Sequence, residues 1–263
     1  HLVKVEVRKN TYDFDRQGAK VNIRNGLGIR ESDVVIARTT RIIPQKRHDR
    51  DIWLIHRLSL LFARNGRERK VYLVVAGDPH EHSAYFSELN ELARKLQVTH
   101  LVKFIGSLSH ACMPSEENPI TIEDLYDSCD LVSFLTSWGY DSYGNPVGEA
   151  ISSQRCYITT RYEYYHEVYG QYGFKAPVMD ISQACDWLPD DRFVEEVYQL
   201  LNDKKLATEI VRHNFDIGRR VLSNNVVDIL GLNDAGGVMR DAIFVSVVLP
   251  GRLQELSATR LLN

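Results

Sequence analysis

Two carboxylates, Asp141 and Glu149, bracket the turn Tyr143-Gly144-Asn145-Pro146 in the segment DSYGNPVGE. A pair of this kind has two chemical uses. It can supply an acid and a base on either side of a scissile bond, or it can accept hydrogen bonds from the hydroxyls of a polar ligand. The apolar run before it, Leu131 to Leu135, reads as a buried strand, and Pro146 suits the first turn of a helix with Asn145 as N-cap. Strand, turn and helix in that order leave unpaired backbone N–H groups and the positive end of a helix dipole facing outward. That spot suits a phosphate or a group of hydroxyls, with the two carboxylates flanking it. A loop acid beside a helix-cap acid would account for the same residues more simply.

A second group lies in RTTRIIPQKR and just beyond, where Arg38, Arg41, Lys46, Arg47 and Arg50 cluster. Arg41 and Lys46 stand on opposite sides of Pro44, so a guanidinium fork and an ammonium point charge would meet one anion across a strand-to-helix loop. A solvated basic face is the alternative. Gly77-Asp78-Pro79 is an ordinary strand exit with a turn signal, and Phe104-Ile105-Gly106-Ser107 ends another strand, where backbone groups would meet a nucleobase or simply reverse the chain. His80 and His82 lack a third ligand, so no metal site is expected. No GxSxG, HExxH, Walker A or GxGxxG pattern occurs, which disfavours serine hydrolases, zincins, P-loop enzymes and dinucleotide-fingerprint proteins. Glycosidases also use two carboxylates, but usually from separate elements of other folds.

The elements that must hold these residues alternate. Apolar, β-rich runs at Val34 to Ala37, Val71 to Ala76, Val102 to Ile105, Leu131 to Leu135 and Tyr157 to Thr160, with a weaker one at Phe174 to Met179, make six candidate strands. Helical spacing joins Ile52, Ile55, Leu58 and Phe62, and again Phe86, Leu89, Ala93 and Leu96. The architecture expected is therefore α/β: a Rossmann-like, doubly wound parallel sheet of about six strands. Ligands bind such sheets at the carboxyl ends of the strands, where Arg41, Gly77, Gly106 and the 141–149 loop fall. Residues 1–32 stand outside this rhythm: Val3, Val5 and Val7 suggest an edge strand, and Asn10 to Gly28 a polar connector. Residues 33–222 form the expected domain, helical after Pro189, and residues 223–263 form a tail with no assigned role.

The 263 residues are 44% hydrophobic with a net charge of -3, which gives no general attraction to nucleic acid or anionic membrane. Cys112, Cys129, Cys156 and Cys185 show no metal spacing and fit reduced thiols in the cytoplasm. No apolar run approaches the roughly 20 residues of a membrane span. A start at His1 suggests a fragment of something longer.

Taken together, RIIPQK, VVAGD, FIGS, LYDSCDLVSFLTS and DSYGNPVGEAISSQRCYITTR resemble, in order and spacing, the family-4 retaining glycosyltransferases, or glycosyl transferases group 1. The likeness covers roughly residues 33–222 and is to the C-terminal, nucleotide-sugar-binding half of their two-domain GT-B fold. The resemblance implies transfer of a hexosyl group from a nucleoside diphosphate sugar, with no further cofactor, to an acceptor held mainly by an N-terminal domain that would precede residue 1. It implies that Arg41 and Lys46 hold the diphosphate and Glu149 the ribose. Asp141, with the backbone of Tyr143, Gly144 and Asn145, would hold the hexose, while Gly106 and Ser107 border the base.

The family's signature carries glutamates at both ends of this turn, whereas Asp141, one methylene shorter, takes the first place here. Thr39-Thr40 also stands where a small residue often precedes the arginine. The fragment alone would bind donor without appreciable turnover. A sugar-nucleotide epimerase of the same architecture and a non-catalytic sugar-nucleotide-binding domain remain as alternatives.

Overall fold

The computed structural model describes residues 10–16, 18, 21–111, 119–185 and 187–223. The edge strand expected at Val3 to Val7, Cys112, and the tail beyond Ser223 lie outside them. Six strands, β1 (Val34–Thr39), β2 (Val71–Ala76), β3 (Val102–Phe104), β4 (Leu131–Phe134), β5 (Cys156–Thr160) and β6 (Val178–Met179), form one sheet in the order β3-β2-β1-β4-β5-β6. Every pairing is parallel. The expected doubly wound architecture is therefore present, with its order reversing between β1 and β4. Strands buried on both faces carry apolar residues continuously, which is why the central ones could be read as unbroken runs.

Helices cover both faces. On one, α2 (His48–Arg64) packs on α3 (Ser83–Lys95) and on α7 (Asp191–Asn202). On the other lie α1 (Ile23–Leu27), which packs on α4 (Ile122–Ser128), and α5 (Asn145–Ser152), which packs on α8 (Lys204–Val221). The short α6 (Tyr165–Val168) follows β5. Local chemistry sets the ends. Thr121 and Asp124 form a capping box at α4, and the Asp190 side chain accepts from Phe193 N at the start of α7. Asp203 accepts from Lys205 N and Leu206 N, so the helical stretch after Pro189 is broken into two helices there.

Two other expectations change. The weak strand Phe174 to Met179 shrinks to Val178–Met179. The polar connector contains anchors: Tyr12, Phe14 and Ile23 are buried, and Tyr12 N donates to Leu222 O at 2.8 Å. Tyr12 lies across α5 so closely that a Cβ on Gly148 would sit 2.1 Å from its ring. Alanine ordinarily favours a helix by about 1 kcal/mol over glycine, but here overpacking should win. Gly148→Ala should lower stability by about 1–3 kcal/mol in urea titrations, and by much less in a Tyr12→Leu background, where the ring is gone.

Candidate functional site

The loops after β1 and β4 meet at the point where the strand order reverses, and a buried polar network ties them together. Arg38 and Asp51 are both fully buried, their Nε and Oδ2 3.5 Å apart. Arg38 donates to Ser133 O at 3.1 Å and, by a short contact, to the carbonyl of Lys46; Ser133 Oγ donates to Asp51. Arg50, also buried, donates to Thr136 O at 2.5 Å and to Trp187 O at 2.9 Å. Burial pushes the Asp51 carboxyl up, and Arg38 opposes it.

The five-residue basic cluster therefore divides by function. Arg38 and Arg50 are interior braces, and Arg47 pairs with Asp49 at 2.9 Å. Arg41, with a side chain 61% exposed, is paired with Glu81. Lys46 ends a 3₁₀ turn, Pro44–Lys46, that leads into α2 through Arg47, whose φ is 55°. Its Nζ pairs with Asp141 Oδ1, and Asp141 Oδ2 accepts from Thr136 Oγ1. The ammonium lies 5.0 Å from the Tyr140 ring centroid and 5.6 Å from that of Phe134. Burial depresses the Lys46 pKa, Asp141 partly restores it, and Arg38 and Arg41 lower it further. The structure thus joins Lys46 directly to Asp141, with Arg41 within electrostatic reach.

Gly144, not Asn145, caps α5, in the left-handed region at φ 67°. A Cβ there would stand 2.6 Å from Tyr162 Oη, so the position demands glycine twice over. Asn145 is the first helical residue, and its Oδ1 turns to Asn10 Nδ2 (2.8 Å) and Tyr12 Oη (3.1 Å). The capping role expected of its side chain is corrected accordingly. Tyr162 donates to Tyr143 O at 3.0 Å and Tyr169 to Gly144 O at 3.1 Å, while Tyr143 Oη donates to Asn10 O at 3.3 Å. Burial raises the pKa of all three, that of Tyr143 to about 12, so they act as neutral donors. The bonds from Tyr162 and Tyr169 occupy carbonyls of the turn, and the N–H groups of Gly144 and Asn145 take no partner among the described hydrogen bonds.

Glu149 lies in the second turn of α5. Tyr126 Oη donates to its Oε2 at 2.5 Å, and Thr39 Oγ1 lies 2.5 Å from the same phenol oxygen. Burial raises the Glu149 pKa; the Tyr126 bond and nearby His110 oppose the rise, and Glu123 adds to it. Gly106, at φ 77°, accepts from Gly77 N at 2.9 Å, and Ser107 is exposed. Both stand at the β3 margin, without a described hydrogen bond to Lys46, Asp141 or Glu149. His82 is a helix cap, its Nδ1 accepting from Tyr85 N at 3.2 Å, and no metal-binding cluster of His, Cys, Asp or Glu occurs among the described residues. Two cavities, of about 380 and 500 Å³, lie elsewhere, one beside Met179 and Trp187, the other beside Phe14 and Arg155.

Sequence reasoning missed Thr136, whose hydroxyl reaches Asp141 five residues on, and Tyr126, Tyr162 and Tyr169, whose partners lie 19 to 25 residues away. The chemical capacity of the arrangement is nonetheless plain. A largely buried ammonium, an exposed guanidinium and two backbone N–H groups without a described partner suit an anion, and two carboxylates on either side can accept from hydroxyls.

No protein-family model matches the sequence, and no curated protein matches it. Solved structures do match in fold. Anabaena HepE in complex with UDP and glucose aligns with a TM-score of 0.63 at 15% identity, over 85% of this chain and 54% of that one. A glycosyltransferase from Rickettsia africae ESF-5 aligns at 0.57 and 17%, over 80% and 49%. The C-terminal domain of the glycosyl transferase group 1 family protein LpcC from Francisella tularensis aligns at 0.57 and 16%, over 81% of this chain and 98% of that domain. The described residues thus have the Rossmann-like fold of the C-terminal half of a GT-B glycosyltransferase. The chain spans about half the length of the first two of these proteins.

Removing the partner of Lys46 gives a direct check on its electrostatics. In Asp141→Asn the Lys46 pKa should fall further, shifting the pH midpoint of its acylation, followed by mass spectrometry, downward. An unchanged midpoint would show that the pair does not govern the amine.

Proposed function

We propose that residues 33–222 form the donor-binding domain of a retaining, family-4-type glycosyltransferase, which transfers a hexosyl group from a nucleoside diphosphate sugar to an acceptor. One observation carries this: Lys46, Asp141 and the start of α5 meet at the carboxyl-end reversal point of the sheet, with Glu149 one turn further on. The diphosphate would lie between Arg41, Lys46 and the N–H groups of Gly144 and Asn145. As the glycosidic bond breaks, negative charge grows on the departing diphosphate, and donors already in place stabilise it without reorganising. Lys46, largely withdrawn from water, would contribute more than exposed Arg41.

Asp141 would accept from hexose hydroxyls and Glu149 from the ribose, with Tyr143 shaping the hexose pocket and Gly106 and Ser107 bordering the base. The acceptor, with any group that deprotonates it, would belong to a preceding domain reached through residues 1–32. The domain alone would bind donor and turn it over poorly, in the cytoplasm, where Cys129, Cys156 and Cys185, free in this structure, stay reduced. Among the described residues, no helix is long and apolar enough to cross a membrane. HepE was crystallised with UDP-glucose, which makes that compound the first donor to try.

Calorimetric titration with UDP, ADP and GDP should detect binding of at least one, and its absence for all three at millimolar concentration would overturn the proposal. Lys46→Ala should weaken that binding by about 1.5–3 kcal/mol, as expected for a charge-assisted bond, and Arg41→Ala by less, because solvent and Glu81 already screen it. Asp141→Asn should have opposite effects on two ligands. Relieved of a competing carboxylate, the site should bind the nucleoside diphosphate more tightly, yet bind the nucleotide sugar less tightly for want of a hexose acceptor. A second reading, a binding domain without catalysis, draws on the engagement of both Asp141 oxygens by Lys46 and Thr136. Failure of the complete protein either to transfer or to hydrolyse any of a panel of donors would favour it.

A further inference from the structure

Tyr126 is 1% exposed, and its hydroxyl stands between two oxygens from different elements, Glu149 Oε2 on α5 and Thr39 Oγ1 at the end of β1. A carboxylate only accepts, so the phenol proton points to Glu149 and the threonine hydroxyl donates to the phenol oxygen. The order Thr39 to Tyr126 to Glu149 follows from this, and it ties the end of β1 to α4 and α5 at the point where the strand order reverses. Both links are 2.5 Å, and the one ending on the carboxylate is charge-assisted. Oε1 of Glu149 receives no hydrogen bond from any described residue.

A half-buried carboxylate held through one oxygen has lost most of its rotational freedom. The free oxygen is then set toward a fixed direction, as bidentate recognition of two neighbouring hydroxyls requires. Resting on the assignment of Glu149 to the ribose, we propose that Tyr126, backed by Thr39, is a positioning residue that makes this site selective for a ribose diol over a deoxygenated sugar. The phenol touches no substrate. It acts by aiming Glu149 and by favouring its ionised form.

Among the described residues, four ionisable groups face Glu149. Tyr126 and Glu123 come from α4, His110 from the loop after β3, and Tyr12 from the N-terminal segment. His110 donates to Glu123 Oε1 at 3.2 Å, so the charges of these two partly cancel when the imidazole is protonated. Burial raises the carboxyl pKa and the Tyr126 bond lowers it, so removing that bond raises it again. Selectivity that needs the carboxylate should be present at high pH and lost as pH falls, and without Tyr126 the loss should come at higher pH.

The experiment titrates the full chain with UDP, ADP and GDP, each paired with its 2′,3′-dideoxy counterpart, and with inorganic pyrophosphate, across a series of pH values. The unaltered protein should prefer the ribonucleotide. Tyr126→Phe should cut that preference by about three- to tenfold and move its pH midpoint upward, while pyrophosphate affinity stays within about twofold. Thr39→Val, which leaves the phenol in place, should cut the preference in the same direction by a smaller factor, and serves should Tyr126→Phe fail to fold. An unchanged preference and midpoint in the folded variants would overturn the positioning role. Absence of nucleotide binding by the unaltered protein would instead overturn the donor-site assignment, and binding without any ribonucleotide preference would remove the ribose role of Glu149 and this inference with it.

Discussion

The buried ion pair of Arg38 and Asp51 is the constraint on which the site depends. Two charges withdrawn from water cost several kcal/mol unless hydrogen bonds satisfy what remains of their bonding capacity. Here those bonds run to the loops that carry the candidate site. Arg38 reaches the carbonyls of Ser133 in β4 and Lys46 in the loop before α2, while Asp51 in α2 accepts from Ser133. One guanidinium thus fixes β1, β4 and the Lys46 turn to one another. Arg50, the residue before Asp51 in α2, repeats the device, holding the Thr136 carbonyl and therefore the residue whose hydroxyl binds Asp141. An apolar pair of similar volume can pack as stably, but nothing in it would hold those loops in register.

The fold was legible where burial leaves a simple trace. A strand covered on both faces must be apolar throughout, and the runs at Val71 and Leu131 could be placed to within a residue or two. Legibility failed where one residue decides. Asp203 divides what looked like a single helical stretch because its side chain caps the second helix, and Gly144 takes the cap from Asn145 because only glycine accepts both the left-handed backbone and the nearby Tyr162. Asn10 to Gly28 looked polar because its few anchors, Tyr12, Phe14 and Ile23, follow no period.

At the site, the sequence pointed to Lys46, Asp141 and Glu149 but not to what holds them. A cation on the surface and a cation in the core are spelled alike, so Arg38 and Arg50 could not be told from Arg41. The tyrosines behind the turn carry no local signal either: Tyr162 and Tyr169 serve residues on the far side of β5, and Tyr126 serves a carboxylate on the next helix. Such pairings exist only once the sheet has brought the strand ends together.

The pairing of cations at this rim has a kinetic side. Arg41, Lys46 and Arg47 each face a carboxylate, Glu81, Asp141 and Asp49 in turn. Opposite charges so matched cancel at a distance, and the whole chain is weakly anionic. An approaching anion therefore meets little long-range attraction, and its capture rate should depend only weakly on ionic strength. What the site rewards is displacement at close range. If the donor diphosphate lies where we propose, a singly charged ion would offer Lys46 little that Asp141 does not already provide, whereas a doubly charged one would offer more, so the site would filter its visitors by charge density before shape enters.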